Sequence, residues 1–206
     1  ELKEEEPHPI VESYCKESAE EAFYKRKLSE SDLEQLSPQS LPQTPTEAIT
    51  ALFSDQELVN LATDPKRSVT RTAFEWRQMG DLTEFSLMVP HPMSDRQGIT
   101  KDGRLHRPRT VSNTGPRKWV VAEFDSPPRD WQPSLIFELA EIAEQQPSVV
   151  IWSGNKSLHA WFAIGDASPD AVGAFESEAT RLGADRALMG DGRRCQLVRT
   201  PMALRD

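Results

Sequence analysis

Apolar residues along this chain fall into short alternating runs and a few helical stripes. The clearest run is Trp119-Val120-Val121-Ala122-Glu123-Phe124-Asp125. Side chains alternate faces along a strand, so Val120, Ala122 and Phe124 share one face. Trp119 and Val121 share the other, which ends in Glu123 and Asp125. Leu135, Leu139, Ile142 and Ala143 then recur at helical spacing and predict a helix over 134–146, stopped by Pro147. Val149–Trp152 reads as a short strand and Ser153-Gly154-Asn155-Lys156 as a tight turn. Residues 157–164 alternate again, with Ser157, His159, Trp161 and Ala163 opposite Leu158, Ala160, Phe162 and Ile164. Ser168-Pro169 is a helix N-cap with proline in the first turn. Val172, Phe175, Ala179 and Leu182 stripe that helix, Gly183 ends it, and 195–200 predicts a last strand.

Upstream the pattern is weaker. Residues 11–36 read as helical, with Tyr14, Phe23 and Leu28 along them, and 37–45 as a proline-punctuated linker. Residues 47–53 predict a short helix. Ser54-Asp55-Gln56-Glu57 has the form of a capping box and predicts a second helix to about Leu61. Strands are expected over 71–76 and 83–89, and a long loop over 90–116.

The order from 119 onward is β-α-β-β-α-β, the split βαβ arrangement. The expected fold class is α+β: a ferredoxin/RRM-like core with an additional N-terminal helical and strand subdomain. The expected division is an acidic appendage and linker over 1–45 and a domain over 46–206, with its motifs in 119–201. In such a sheet the first and third strands are neighbours, helices cover one face and the other is open. Glu123, Asp125, Ser157 and His159 then share the open face.

Charge sharpens this picture. The net charge is −9 over 206 residues, the wrong sign for coating nucleic acid through bulk charge. Residues 1–45 hold eleven acids against five bases, a net of −6, which leaves −3 elsewhere. Residues 94–118 instead carry seven bases (Arg96, Lys101, Arg104, Arg107, Arg109, Arg117, Lys118) against Asp95 and Asp102. Arg104, Arg107, Arg109 and Lys118 are the nucleic-acid-binding candidates. Cys15 and Cys195, far apart, fit reduced thiols in a cytoplasmic protein. No apolar run reaches membrane-spanning length. The first residue is Glu1 rather than Met, which suggests a piece of something longer.

Two carboxylates about 6.6 Å apart on one strand face, beside Ser157 and His159, point to metal-dependent phosphate chemistry. Hard oxygen donors suit Mg²⁺ or Mn²⁺, and a pair of such ions could activate a hydroxyl and stabilise a pyrophosphate leaving group. Asp185 is the candidate third acid. Lys156 and Arg199 are candidate phosphate contacts. The same residues also suit a strand ending at Ala122, a half-exposed strand histidine and solvated turns. A P-loop is excluded because Asn155 and Val150 stand where glycines are required. A Ser-His hydrolase lacks the sharp turn that exposes its nucleophile.

Glu123-x-Asp125 on an apolar strand, Ser153-Gly-Asn-Lys-Ser-Leu-His-Ala-Trp161, and Gly-Ala-Asp185 followed by Arg199-Thr-Pro201 resemble the three motifs of the archaeo-eukaryotic primase superfamily. The likeness is to primase or primase-polymerase domains of phages and plasmids. It covers roughly 46–206 and extends weakly to Val89-Pro90-His91-Pro92. The resemblance implies a DNA primase or primase-polymerase, a nucleotidyltransferase joining nucleoside triphosphates on a single-stranded DNA template in replication of a mobile element. Glu123, Asp125 and Asp185 would be catalytic and hold two metals, with Ser157 and His159 holding the nucleotide. It also implies a helicase region or replication protein beyond this chain as partner. Glu-x-Asp replaces the commoner Asp-x-Asp or Asp-x-Glu, Gln196 stands where a base is expected, and Met202 replaces a usual glycine. The rival reading is a catalytically degenerate nucleotide- or single-strand-binding module on the same fold.

Overall fold

The computed structural model describes residues 9–35, 42–154 and 156–203, with side chains from Lys16 onward. Most of the expected linker at 37–45 lies outside the described residues. The fold is mixed α+β, with antiparallel sheets and six α-helices among those residues.

The chain opens with α1 (Pro9–Arg26), α2 (Glu30–Gln35) and α3 (Pro45–Leu52). The long helix expected over 11–36 is broken at Lys27, which takes φ 53°. Thr44 caps α3 by accepting the Glu47 N–H, with Pro45 in its first turn. The Ser54 box forms only in part: the Ser54 N–H reaches Glu57 Oε2 at 2.7 Å, but the Glu57 N–H bonds the Ser54 carbonyl at 3.0 Å rather than its hydroxyl, and no helix follows. The chain extends into β1 (Leu58–Asp64) because Val59 and Leu61, both fully buried, belong to a strand face. β2 (Arg67–Thr72) returns antiparallel. The strand expected over 71–76 stops at Thr72, whose own capping box with Glu75 starts α4 (Ala73–Met79). Of the strand expected over 83–89 only β3 (Leu87–Met88) forms. The expected loop contains a small hairpin, β4 (Gly98–Ile99) with β5 (His106–Arg107), and a 3₁₀ turn at Val111–Asn113.

Then come β6 (Trp119–Glu123), α5 (Gln132–Ile142), β7 (Val149–Trp152), β8 (Leu158–Ala163), α6 (Pro169–Arg181) and β9 (Val198–Arg199). These elements, apart from β9, follow the alternation closely. The sheet order is β6-β8-β7, antiparallel throughout, with Val121 opposite Trp161 and Glu123 opposite His159. The last strand departs from expectation. β9 pairs with β3, giving a second sheet of order β2-β1-β3-β9.

That exchange closes the face expected to be open. On one side of β6-β8-β7, Ala122, Phe124, Leu158, Ala160 and Phe162 pack against α1, α5 and α6. On the other, Trp119, Val121, Ile151 and Trp161 pack against Val59, Leu61, Met88 and Val198 of the second sheet. The two tryptophans are therefore core, 4% and 0% exposed. Only the tip of this face, at Glu123 and His159, reaches a cleft. The N-terminal segment read as an appendage also joins the core. Ala19 and Ala22 of α1 lie in the helical cluster, Phe23 stacks on Trp131 at 5.4 Å, and Lys25 pairs with Glu138 at 2.9 Å.

Candidate functional site

The cleft lies where the two sheets part and has a volume of about 200 Å³. Glu123 and Asp125 from the end of β6 line it, as do Ser153, Lys156, Ser157 and His159 from the β7–β8 turn and β8. Leu87, Leu197 and both residues of β9, Val198 and Arg199, form the opposite wall. Of the residues singled out for phosphate chemistry, all except Asp185 therefore line one cleft.

Their local geometry follows from the register. Because Glu123 sits opposite His159, the imidazole Nε2 lies 3.1 Å from Glu123 Oε1 and 3.3 Å from Ser157 Oγ. His159 Nδ1 is buried with no hydrogen-bond partner among the described residues. Nε2–H is thus the donor that holds the Glu123 carboxylate in place. Ser157 is tied to Ser153, Oγ to Oγ at 3.0 Å, across the turn. Both Ser157 and His159 are nearly fully buried, at 1% and 3% exposure, so they form the cleft's floor and orient Glu123. Asp125 and Lys156 are more open, and their charged groups meet at 3.3 Å. Arg199 Nη1 donates to the Ser86 carbonyl at 3.4 Å.

Asp185 is close by in backbone but not in function of its side chain. Gly183 adopts φ +96°, and a Cβ there would come within 2.8 Å of Pro127. Glycine thus lets the chain turn tightly against the loop after β6. The Asp185 N–H then bonds the Glu123 carbonyl at 2.8 Å, while its carboxylate caps a 3₁₀ turn by accepting the Ala187 N–H at 2.8 Å. Among the described residues no group of three His, Cys, Asp or Glu is arranged to hold a metal ion. Glu123 and Asp125 fit the oxygen-donor part of a Mg²⁺ or Mn²⁺ site; Asp185 does not join them in this arrangement.

Gln132 was missed by the sequence reading. It is fully buried at the start of α5. Its Nε2 donates to the carbonyls of Phe124, Pro127 and Lys156 at 2.8, 3.1 and 2.9 Å, and its Oε1 accepts the Leu158 N–H at 2.6 Å. One carboxamide thereby fastens the loop carrying Asp125 to the turn carrying Lys156 and Ser157. Only its place, at the head of the helix leaving the acidic strand, could have drawn attention to it.

The basic loop divides in two. Arg109 donates to the carbonyls of Cys195 and Pro65. Lys118 is held by Glu57 at 2.9 Å and by the Phe53 and Trp119 rings. Arg96 pairs with Glu75 and Arg117 with Glu176. Arg104, Arg107 and Lys101 sit on the β4–β5 hairpin, exposed, with no acidic partner among the described residues. Cys195 is a free thiol, and no helix of the described residues is long and apolar enough to cross a membrane.

No family model matches the chain, and neither the curated proteins nor the solved structures contain a match to it.

Proposed function

We propose that this chain is a metal-dependent nucleotidyltransferase of the archaeo-eukaryotic primase type, joining nucleoside triphosphates on a single-stranded DNA template. The observation that carries the reading is the shared cleft. Two carboxylates, a lysine, an arginine and a serine–histidine pair line one opening, the inventory a triphosphate and its cation require. The sequence β6–α5–β7–β8–α6 and the sheet order β6-β8-β7 support a ferredoxin-like core whose fourth strand has moved to the neighbouring sheet.

In this reading Lys156 and Arg199 neutralise the phosphates, and the Glu123 and Asp125 oxygens hold Mg²⁺ or Mn²⁺. His159, through Nε2–H, fixes the angle at which Glu123 presents its carboxylate. A bound cation supplies polarisation of the phosphate oxygens and acidification of the attacking hydroxyl. A 3′-hydroxyl gives up its proton to solvent and attacks the α-phosphorus, the bond to the bridging oxygen breaks, and pyrophosphate leaves with that electron pair. Arg104 and Arg107, on the exposed hairpin, suit the template backbone.

One observation favours the second reading, a nucleotide- or single-strand-binding module without catalysis. The Asp185 carboxylate is spent on its own turn, leaving two acids in the cleft. Incorporation of labelled nucleotides on single-stranded DNA with Mg²⁺ or Mn²⁺ separates the two. The wild type should extend or start chains, and Asp125→Ala should lose about 10²–10³-fold in rate while strand binding changes less than about twofold. A wild type that binds strands and incorporates nothing establishes the module instead.

A further inference from the structure

Beside the cleft, and sharing Val198 with it, is a recess of about 10 Å³, the space of one water-sized group. Its apolar wall includes Trp119 and Val121, the residues that precede Glu123 on the same face of β6. Val121 and Trp119 stand two and four residues before Glu123, so the recess lies about 7–13 Å down the strand from it, within the span from a nucleotide's phosphates to its sugar hydroxyls. Three polar side chains line it: His91, Arg193 and Gln196. None of the three side chains has a hydrogen-bond partner in this recess among the described residues.

His91 is 4% exposed and engages only through Nδ1, which accepts the Lys118 backbone N–H at 3.3 Å. An imidazole that accepts at Nδ1 carries its proton on Nε2 when neutral. Burial, helped by the nearby Arg117, pushes its pKa down to about 3, so the ring is neutral at physiological pH. The recess thus offers a fixed N–H donor from His91 and a carboxamide from Gln196 that can accept. A hydroxyl is the small group that uses both at once.

We propose that the recess takes the sugar 2′-hydroxyl of a ribonucleoside triphosphate whose phosphates lie in the cleft. His91 Nε2–H donates to the hydroxyl oxygen, and Gln196 Oε1 accepts its proton. This rests on the nucleotide-binding reading above and adds the choice of sugar to it. A 2′-deoxy sugar leaves both protein groups unpaired, the situation in which sites of this kind discriminate.

The test is calorimetric titration with ATP and with 2′-deoxy-ATP in the presence of Mg²⁺ and no nucleic acid. The wild type should bind ATP about tenfold more tightly. Gln196→Leu removes the acceptor. His91→Asn keeps an acceptor for the Lys118 N–H and removes the donor. Each should bring the two affinities within about twofold while leaving that for 2′-deoxy-ATP unchanged, which also serves as the check that the variant is folded. Should His91→Asn not fold, Gln196→Leu decides alone. Equal wild-type affinities, or a preference that survives Gln196→Leu, overturn the inference and leave nucleotide binding intact. Binding of neither nucleotide overturns both. A preference that is present without any incorporation sustains the recess and removes only the chain-joining reaction.

Discussion

At the scale of single residues, the cleft is supported by groups that do not line it. Gln132, with no exposed surface, satisfies three carbonyls and one N–H. Gln132→Leu keeps the bulk but strands all four groups, and a buried unpaired backbone group costs about 1–3 kcal/mol before relaxation. A net loss of about 2–4 kcal/mol is expected in urea unfolding, and Gln132→Glu, which sets a carboxylate against three carbonyl oxygens, should do no better. Stability within about 0.5 kcal/mol of wild type would mean the two loops hold themselves. His91 gives a pH signature. Its folded pKa near 3 lies below the usual histidine value of about 6.5, so between those values the unfolded chain takes up a proton that the native state refuses. Its contribution is fully present above about pH 6.5 and declines as pH falls towards 3, by roughly 1.4 kcal/mol per unit. Unfolding measured at pH 6.5 and 5 should show this decline in wild type, and His91→Asn should flatten it.

At the scale of elements, legibility followed the strength of the pattern. β6, β7, β8 and α6 were readable because each strand has one wholly apolar face and α6 has a serine–proline start. The pairing of Glu123 with His159 was readable for the same reason, since alternation alone puts them on one face. Ser54-x-x-Glu57 and Thr72-x-x-Glu75 are the same local signal, yet only the second opens a helix. What separates them is whether the next residues complete a sheet, which is a tertiary fact. β9 was foreseen as a strand but not its partner, because a two-residue strand carries no register information. α1 was underestimated since small residues, Ala19 and Ala22, make its contact, and alanine does not stand out as apolar in a sequence so rich in glutamate. That contact is testable. Ala19 is 2% exposed, and Ala19→Asp forces a charge between α1 and the layer of α5 and α6. A loss of about 2–4 kcal/mol is expected from thermal or urea melts; a detachable appendage would show none.

At the scale of the molecule, β6-β8-β7 is a shared middle layer, with helices on one face and a second sheet on the other. The cleft exists because the covering sheet stops short of the strand ends, so closing the expected open face is what confines the charged groups to one opening. Under the proposed function, this arrangement bears on how an acidic protein, net −9, would hold a polyanionic strand. Four of the seven loop bases are committed to joining the layers, Arg96 to Glu75, Arg117 to Glu176, Lys118 to Glu57 and Arg109 to backbone carbonyls. The other three bases of this loop, Lys101, Arg104 and Arg107, lie exposed on the hairpin. Its turn is set by Asp102, which accepts from Thr100 Oγ1 at 2.6 Å and from the Arg104 N–H at 3.2 Å. Those bonds hold the Asp102 carboxyl below its ordinary range. Each phosphate contact to a single strand contributes about 0.7 to the slope of log affinity against log salt. Replacing Lys101, Arg104 and Arg107 together by alanine should therefore lower that slope by about 2 and weaken oligonucleotide binding at low salt, with the melting temperature unchanged because none of the three side chains bridges the fold. Binding isotherms for a fluorescent oligonucleotide at several salt concentrations measure this directly, and an unaltered slope would move strand recognition away from the hairpin.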